Sequence, residues 1–441
     1  MDVRAADLGC PLTGIVIAKA RVRRAGAAYR RSETSRPQVN TRWAVSTVID
    51  IYDPDLYVDG PIHEIFAELR RTRPVYWQPM PGEPGYWAIL THADVAHVAR
   101  DPLLFSAERE GVILENQPPE RLEMTRNMLL MMDPPRHTEY RKPLAEHFKA
   151  KVMGELEDRI RELTVQLLDS VDGEVEFVHD VAGVLPSQVV GGLFGIPAAD
   201  WPSIRHWAEQ STSQQDPELV GDFDATAEVT KMAVYAIQFA MARRTEAPRA
   251  DLTSLILAGQ YGGQAMTDLE FGSFFTQLVT AGNDTTKTML SSGLHLLLQH
   301  PQQLRALRDN PALIAGAVEE ILRYANPLHY FRRTATADTE IRGVPIKAGD
   351  KVAMWYTSAN RDEQVFDDPQ RFDIRRNPNP HLSFGLAQHY CLGVHLARLE
   401  GRVFFEELFA RFPTIEQIGD ARRIRSNLNN GLKALPIRLS R

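Results

Sequence analysis

One cysteine lies in a loop with glycine, histidine and aromatic neighbours near the end of the chain. The loop spans residues 381–393, reads HLSFGLAQHYCLG and contains Cys391. Apolar residues recur at helical spacing over residues 394–412, which predicts an amphipathic helix directly after the loop. The free N–H groups and the positive dipole at the start of that helix favour the thiolate form of the cysteine. A thiolate in this position suits the axial site of a haem iron, and Gly393 would let a large flat ligand approach the backbone closely.

Other roles compete for Cys391 on the residues alone. A lone cysteine is usually a small buried hydrophobic residue. A zinc site formed with His389 and His395 lacks the usual pairs of cysteine and histidine ligands. A cysteine protease would need a local signature, which the loop does not contain. The loop by itself therefore leaves haem ligation and a buried structural thiol both open.

The longest apolar helix predicted in the chain carries polar residues at its middle. It covers residues 271–300 and is expected to be interrupted at residues 281–286, AGNDTT. Such residues are costly inside a buried helix, and a buried aspartate usually has a partner or a task. One interpretation is a kink in which threonine hydroxyls bond to backbone carbonyls. We favour the other, in which Asp284 and Thr285 are an acid and a hydroxyl that pass protons to a reaction centre.

Two further pairs of charged residues stand at helical spacing. His137 and Arg141 follow a proline-rich turn and are four residues apart, so one helix face presents two cations that can grip a carboxylate pair. Glu320 and Arg323 are three residues apart in a helix predicted over residues 312–324. Such a pair is most often a weak ion pair at the surface.

The elements that must position these residues are mostly helical. Successive helices are predicted over residues 151–249, with a polar loop over residues 212–223. Short strands and hairpins are predicted at residues 75–77, 86–90, 328–346 and 427–439. The pattern predicts a mainly α protein with small β-sheets, in the α+β class.

Several short motifs, taken in order along the chain, resemble those of the cytochrome P450 monooxygenases. They are D-P-P-x-H-x-x-x-R at 133–141, A-G-x-D-T-T at 281–286, E-x-x-R at 320–323, a segment similar to P-x-R-F at 369–372, and the cysteine loop. The family loop reads F-G-x-G-x-H/R-x-C-x-G, and here it reads FGLAQHYCLG. Ala387 replaces the usual glycine, and its methyl group restricts positive φ without removing the ligand. On this resemblance the chain is identified as a member of the family from Ile49 to the C terminus.

The resemblance implies a role for each matching residue. Cys391 would be the axial ligand of the haem iron, and Asp284 and Thr285 would be the catalytic acid and alcohol. Contacts with the haem or its propionates are implied for His137, Arg141, Ala281, Arg333, Phe384, Gly385, His389 and Gly393.

The resemblance also implies the fold and a structural cluster. Glu320 and Arg323 would be a buried pair, with Arg371 as a third member, behind the cysteine loop. One haem domain is expected over residues 45–441, with the haem between the long central helix and the helix that follows the cysteine loop. Residues 101–132 are expected to form the loop over the distal haem face, and residues 328–331 to border the substrate pocket.

The activity implied is that of a haem-thiolate monooxygenase of the soluble bacterial class. Such an enzyme inserts one atom of O2 into a hydrophobic small molecule, using haem b and electrons that pass from NAD(P)H through a separate ferredoxin reductase and ferredoxin. Similarity at residues 331–335, 358–363 and 377–381 favours a terpene, steroid or branched-lipid substrate.

Peroxide-driven oxygenases of this family tend to lose the acid and alcohol, so the presence of Asp284 and Thr285 disfavours that alternative. The same pair disfavours a non-catalytic haem- or ligand-binding protein of this fold.

Composition argues against several other classes of protein. The 441 residues carry a net charge of −7 and are 44% hydrophobic, as in ordinary globular proteins, with no basic footprint for nucleic acid. No apolar run approaches the ~18–20 residues that span a bilayer, so no membrane anchor is expected. The cysteines are Cys10 and Cys391, which predicts a cytoplasmic protein without a disulfide framework.

Residues 1–44 are basic and weakly patterned, and a disordered tail or a mis-called start is expected there.

Overall fold

A helix of 32 residues, Asp268–Gln299, is the longest element of the computed structural model. It begins with a capping box, in which the Glu270 N–H donates to the Thr267 hydroxyl and the Thr267 N–H donates to the Glu270 carboxylate. The polar residues 281–286 do not end the helix, which is continuous through that segment. Two of their side chains bond back to helix carbonyls: Asn283 Nδ2 donates to Val279 at 2.8 Å, and Thr285 Oγ1 donates to Ala281 at 2.6 Å, as the sequence alternative anticipated.

The structure describes residues 49–221 and 225–441, which fall within one unit, Val48–Arg441. The basic segment predicted at residues 1–44 lies outside the described residues. The helices, numbered in chain order, are α1 Leu56–Asp59, α2 Ile62–Thr72, α3 His92–Arg100, α4 Pro119–Thr125, α5 Arg136–Ala145, α6 Ala150–Gly154, α7 Glu157–Asp169, α8 Val184–Phe194, α9 Trp201–Thr212, α10 Pro217–Val220, α11 Ala225–Arg244, α12 Leu252–Ala258, α13 Asp268–Gln299, α14 Pro301–Asp309, α15 Ile314–Tyr324, α16 Tyr356–Ala359 and α17 Val394–Arg411. A π-helical turn lies at Val178–Ala182, and single 3-10 turns lie at Leu129–Met131, Ala198–Asp200, Pro311–Leu313 and Ala387–His389.

The strands are short and form several small sheets. They are β1 Val75–Met80, β2 Glu83–Ile89, β3 Phe105–Ser106, β4 Gly173–Glu176, β5 Gln260–Tyr261, β6 Gln264–Ala265, β7 Tyr330–Ala335, β8 Thr339–Ile341, β9 Val344–Ile346, β10 Lys351–Trp355, β11 Thr414–Gln417, β12 Arg422–Arg423, β13 Leu432–Ala434 and β14 Pro436–Ser440. The largest sheet has the order β1-β2-β10-β7-β3, with β2 and β10 parallel and the other neighbours antiparallel. A second sheet has the order β11-β14-β4, and β5-β6, β8-β9 and β12-β13 are two-stranded.

The terminal hairpin differs from the one predicted at residues 427–439. Its strands are β12 and β13, and β14 instead pairs with β4 and β11. The reason is burial, because Ile437 and Leu439 on β14 are 0% and 1% exposed and pack into the main core. Alternation within a strand predicts that one face is buried, but it does not say which strands pair.

The packing of α13, α15 and α17 sets the position of the cysteine loop. At Gly293 on α13, a Cβ atom would meet Ile321 of α15 at 2.9 Å and Phe405 of α17 at 3.0 Å. At Gly401 on α17, a Cβ atom would meet Met289 of α13 at 2.9 Å. These glycines let the three helices approach closely, so the loop that precedes α17 is held at a defined place beside α13.

Candidate active site

The cysteine loop folds back on its own backbone just before α17. The Cys391 N–H donates to the Phe384 carbonyl at 2.8 Å, and the Gly393 N–H donates to the Cys391 sulfur. Burial raises the pKa of the Cys391 thiol, opposed by the Gly393 N–H and by the charges of Arg141 and Arg398. Burial therefore outweighs the helix effect that the sequence predicted. A ligated metal cation would reverse that balance, because a coordinating thiol is deprotonated.

The space and the ligands around Cys391 favour a flat cofactor over a zinc ion. Among residues 49–221 and 225–441, no group of three or more His, Cys, Asp or Glu side chains is arranged to hold a metal ion. At Gly393 a Cβ atom would meet nothing within 4 Å, so the backbone is open there to a large planar group. One protein thiolate beside an open backbone is what the axial position of a haem requires.

Basic side chains from three separate elements gather beside the loop. The rings of His137 on α5 and His389 on the 3-10 turn lie 4.5 Å apart between centroids. Arg141, one turn after His137, donates to the Tyr390 carbonyl at 2.6 Å. Arg333 on β7 is 4% exposed and donates to the carbonyl of Arg332 at 2.8 Å. The structure thus brings together four of the residues that the sequence assigned to cofactor binding.

Within the described residues, none of these four side chains forms an ion pair with a carboxylate. Nε2 of His137 and Nε2 of His389 are buried without a hydrogen-bond partner, and the charge of Asp133 acts on Arg333 without forming an ion pair with it. Burial, followed by the charges of Arg141 and Arg333, lowers the pKa of His137 to about 4. The pKa of His389 is lowered by burial and by the charges of Arg333, His137 and Arg141. Carboxylates are the natural complement of such a group, so the residues fit the propionates of a haem.

The predicted acid and alcohol are neighbours on α13 but have different partners. Asp284 Oδ1 lies 3.1 Å from Lys287 Nζ, and Asp284 Oδ2 accepts a hydrogen bond from the Thr212 hydroxyl at the end of α9. Thr285 instead bonds back to Ala281, which is exposed although it lies in the middle of α13. The acid therefore belongs to a network between α9 and α13, while Ala281 and Thr285 share the helix face one turn apart. Sequence reasoning did not find Lys287 or Thr212, because their contacts join separate segments.

The predicted structural pair is fully buried. Glu320 and Arg323 are 0% exposed and form a two-pronged ion pair with both N···O distances at 2.8 Å. Arg323 also donates to the carbonyls of Asn360 and Pro369, each at 2.9 Å. The pair ties α15 to the irregular segment that leads to the cysteine loop, which is the structural role that the sequence predicted.

The third member of that cluster is Arg376, and the assignment of Arg371 is corrected. The Arg371 side chain is 63% exposed and faces Asp373 at 3.5 Å, and only its carbonyl meets Arg323. Arg376 is 10% exposed and places its Nε 3.3 Å from Glu320. Several arginines follow one another in this segment, and no local pattern distinguishes the one that turns inward. Burial of the segment against α15 decides it.

Ala387 adopts the left-handed backbone conformation that the family glycine would adopt. Its φ is +56°, and that of Gly385 is +68°. An L-residue in this region costs roughly 1–2 kcal/mol, part of which is offset by the lower chain entropy of alanine in the unfolded state. The loop therefore keeps its geometry at a cost in stability.

Ala387→Gly is expected to raise the free energy of unfolding by about 0.5–1 kcal/mol, because it relieves this strain. The measurement is urea-induced unfolding of the purified protein. Ala306→Gly in the middle of α14 is the matched control and should lower stability by about 1 kcal/mol. A loss of stability in the Ala387 variant similar to that of the control would contradict the strain argument.

Comparison with known proteins agrees with this site. A family model for cytochrome P450 matches residues 222–439. A steroid C26-monooxygenase of Rhodococcus jostii is 36% identical over 401 residues, which are 88% of this chain and 84% of that protein. The chain belongs to the cytochrome P450 family. A methyl-branched lipid omega-hydroxylase of Mycobacterium tuberculosis is 39% identical over 386 residues, 84% of this chain and 90% of that protein.

The solved structures agree on the fold. A Mycobacterium marinum cytochrome P450 in complex with pseudoionone has a TM-score of 0.83 and 34% identity, covering 92% of this chain and 100% of that one. The mainly helical P450 fold with small sheets that the sequence predicted is confirmed. As a cytochrome P450, the chain is an oxidoreductase of the monooxygenase type with a haem iron cofactor. Within the described residues, no helix is both long and apolar enough to cross a membrane.

Proposed function

We propose that this P450 hydroxylates an apolar small molecule that carries a methyl-branched chain, such as a terpene, a steroid side chain or a branched lipid. The observation that carries the oxygenase assignment is the group of basic side chains beside Cys391, in which two buried imidazole nitrogens lack a hydrogen-bond partner. The relatives support the substrate class, because their names include a steroid C26-monooxygenase, a methyl-branched lipid omega-hydroxylase and a linalool 8-monooxygenase. Each of those names describes an oxidised carbon on a largely apolar skeleton.

The chain's own residues would hold the haem. The Cys391 thiolate would bind the iron, with the Gly393 N–H donating to its sulfur, and His137, Arg141, Arg333 and His389 would bind the propionates. When bound, the haem iron supplies the activation of O2 and the transfer of one oxygen atom into a C–H bond.

The wall of the proposed substrate pocket would be apolar, because the segment predicted to cover it forms an apolar core cluster. Ala107, Val112, Leu122 and Met131 of the segment predicted to form the distal loop pack into one cluster, and Phe331 of β7 packs against it. The Arg332 N–H fixes this loop to β7 through the Val112 carbonyl at 2.8 Å. Such a wall recognises its ligand by shape and excludes water, which favours a hydrophobic substrate over a charged one.

Electrons would come from NAD(P)H through a separate ferredoxin reductase and ferredoxin. The sequence contains two cysteines, Cys10 and Cys391, whereas an iron–sulfur cluster takes four cysteine ligands. This count supports an external electron carrier.

Proton delivery would pass through Asp284 and Thr285. Asp284 is a carboxylate linked by its partners to α9, and Thr285 is the adjacent hydroxyl. The chain's contribution is to hold these two groups in place and to move protons between them, with water excluded by the apolar wall.

Thr285→Ala is expected to lower the product formed per O2 consumed by roughly 10–10²-fold, with the balance released as hydrogen peroxide, because the relay loses its hydroxyl. The measurement compares product, O2 uptake and peroxide. Thr276→Ala is the matched control, since Thr276 also bonds back to its own helix, at 2.8 Å to the Gly272 carbonyl, two and a half turns earlier. Equal coupling in the two variants would remove Thr285 from the mechanism.

The first experiment is the absorbance spectrum of the reduced protein with carbon monoxide. A strongly red-shifted haem band is expected, since it reports thiolate ligation, and a band at the position of histidine-ligated haem would contradict the role of Cys391.

The second experiment adds linalool, a steroid with an intact side chain, or a methyl-branched fatty acid. A shift of the haem band from low to high spin, followed by hydroxylated product with ferredoxin and reductase, is expected for at least one of them. No shift with any compound would contradict the substrate class, and activity with hydrogen peroxide but none with ferredoxin and reductase would contradict the electron route.

A further inference from the structure

A small polar cavity lies beside Asp284, between the π-helical turn Val178–Ala182, α9 and α13. Its volume is about 10 Å³, close to the room that one water molecule needs. Asn283 lines this cavity, and its Oδ1 is buried without a hydrogen-bond partner, so a water there would have an acceptor. Polar cavities of this size are normally hydrated.

Lys287 joins two carboxylates across this cavity. Its Nζ lies 3.1 Å from Asp284 Oδ1 and 2.7 Å from Glu209 Oε1 on α9, and its side chain is 7% exposed. Burial alone would lower the pKa of Lys287, but the charges of Asp284 and Glu209 outweigh it and raise the pKa. Burial likewise opposes the ionisation of Glu209, yet the nearby Lys287 charge lowers its pKa. The lysine thus stays a cation, and both carboxylates are held around it.

The cluster continues outward to the surface. Nδ1 of His179, on the π-helical turn, lies 3.9 Å from Glu209 Oε1, and the His179 side chain is 43% exposed. Arg205 of α9 donates to the His179 carbonyl at 3.1 Å, which holds the turn against that helix. Exposure of the side chains falls from His179 through Glu209 at 19% and Asp284 at 15% to Lys287 at 7%. The result is a line of side chains that can take up and release protons, and it runs from solvent to Asp284, the acid beside Thr285.

We propose that protons reach Asp284 along His179, Glu209 and the water of this cavity, and that Lys287 is the positioning residue that holds the two carboxylates in line. A proton taken up from solvent at the His179 ring passes to the Glu209 carboxylate and then through the cavity water to the Asp284 carboxylate, which passes it on toward Thr285. Each carboxylate carries the proton only during the transfer, Lys287 keeps its own proton throughout, and the charge of the cluster is the same before and after each transfer. This inference rests on the proposed function, because it concerns the supply of protons to the same reaction.

The alternative is that Lys287 has only a structural role, which is to hold α9 against α13. Both roles predict some loss of stability when the lysine is removed, but only the relay role predicts slower proton transfer. The decisive measurements are therefore the product formed per O2 consumed and the ratio of turnover in H2O to that in D2O. Both use the haem-loaded protein, with the compound among the three above that gives the most product.

Lys287→Met and Glu209→Gln are expected to lower product per O2 by about fivefold or more and to raise the solvent isotope ratio about twofold, since proton supply becomes slower. His179→Gln should shift both quantities in the same direction by a smaller amount, because solvent can partly replace an exposed donor. Lys287→Arg keeps the charge and should restore coupling to within about twofold of the wild type. Lys351→Met is the matched control, since Lys351 is also a buried lysine, 4% exposed and 2.5 Å from Glu83, and it should leave the isotope ratio unchanged.

A second readout does not depend on activity. In thermal unfolding of the resting protein, Lys287→Met and Glu209→Gln should each lower Tm by about 2–3 °C, and the double variant should lower it by less than the sum. Additive shifts in Tm, or variants of Lys287 and Glu209 with wild-type coupling and isotope ratio, would overturn the relay. A wild-type protein that lacks the thiolate band or forms no product would instead overturn the proposed function, so the two failures are distinguishable.

Discussion

Cys391→Ser is expected to lower monooxygenase turnover by at least about 10³-fold, which corresponds to about 4 kcal/mol in the barrier. Serine is close to cysteine in size, and the loop contact from the backbone N–H of residue 391 to the Phe384 carbonyl does not involve the side chain. The loop should therefore keep its fold while the thiolate is lost. Without that thiolate, the electron donation that favours O–O cleavage is absent.

The measurement for this variant is the reduced carbon monoxide spectrum together with turnover. The red-shifted band should disappear, and any haem that remains should show the band of a non-thiolate ligand. Cys10→Ser is the matched control, because it makes the same chemical change at the other cysteine of the sequence. A red-shifted band that survives in Cys391→Ser and is lost in Cys10→Ser would contradict the assignment of Cys391 and identify Cys10 as the iron ligand.

Glu320→Ala is expected to destabilise the protein by about 3–5 kcal/mol, because it leaves the buried guanidinium of Arg323 without its carboxylate. Glu320 also accepts from the backbone N–H of Asp373 at 2.9 Å and from Asn379 Nδ2 at 3.1 Å, so the same change removes the contacts that fix the segment leading to the cysteine loop. Haem content should fall with stability. Urea unfolding and the haem-to-protein ratio measure the two effects.

The controls for this prediction are the two arginines that the sequence could not tell apart. Arg371→Ala should change stability by less than about 0.5 kcal/mol, since its side chain is exposed and makes one long ion pair. Arg376→Ala should cost about 1.5–3 kcal/mol, because it removes a mostly buried hydrogen-bonded charge from Glu320. Equal losses in the two arginine variants would contradict the assignment of Arg376 as the third member of the cluster.

Much of the site could be predicted from the sequence because its chemistry is local. The cysteine loop, the Asp284–Thr285 pair and the His137–Arg141 pair are each short segments in which spacing along one element decides what lies on one face. The contact of His137 with His389 joins two such segments that lie far apart in sequence, whereas the family resemblance implied only that each residue contacts the haem. Ala387 was identified as a departure from the family pattern, and the structure shows that it adopts the left-handed conformation.

The errors share one physical cause. The sequence predicted a hairpin at residues 427–439 and a role for Arg371, and both depended on which partner a polar or apolar group would find. In β14 the buried Ile437 and Leu439 select β4 and β11 as partners. Long-range packing decides such choices, and local propensity carries little information about it.

The sequence by itself determined the family, and it predicted the haem ligand and the acid and alcohol, because those features are carried by residue type and short spacing. Only the tertiary structure decided that Arg376 completes the buried cluster, that the basic side chains beside Cys391 form no ion pair within the described residues, and that Lys287 links Asp284 to Glu209, which lies near His179. The reason is that burial and charge pairing are properties of surfaces brought together from distant parts of the chain. A lysine three residues after an aspartate is an ordinary helix pair in the sequence. It becomes a bridge between two helices when α9 packs against α13 and removes both carboxylates from most of the solvent.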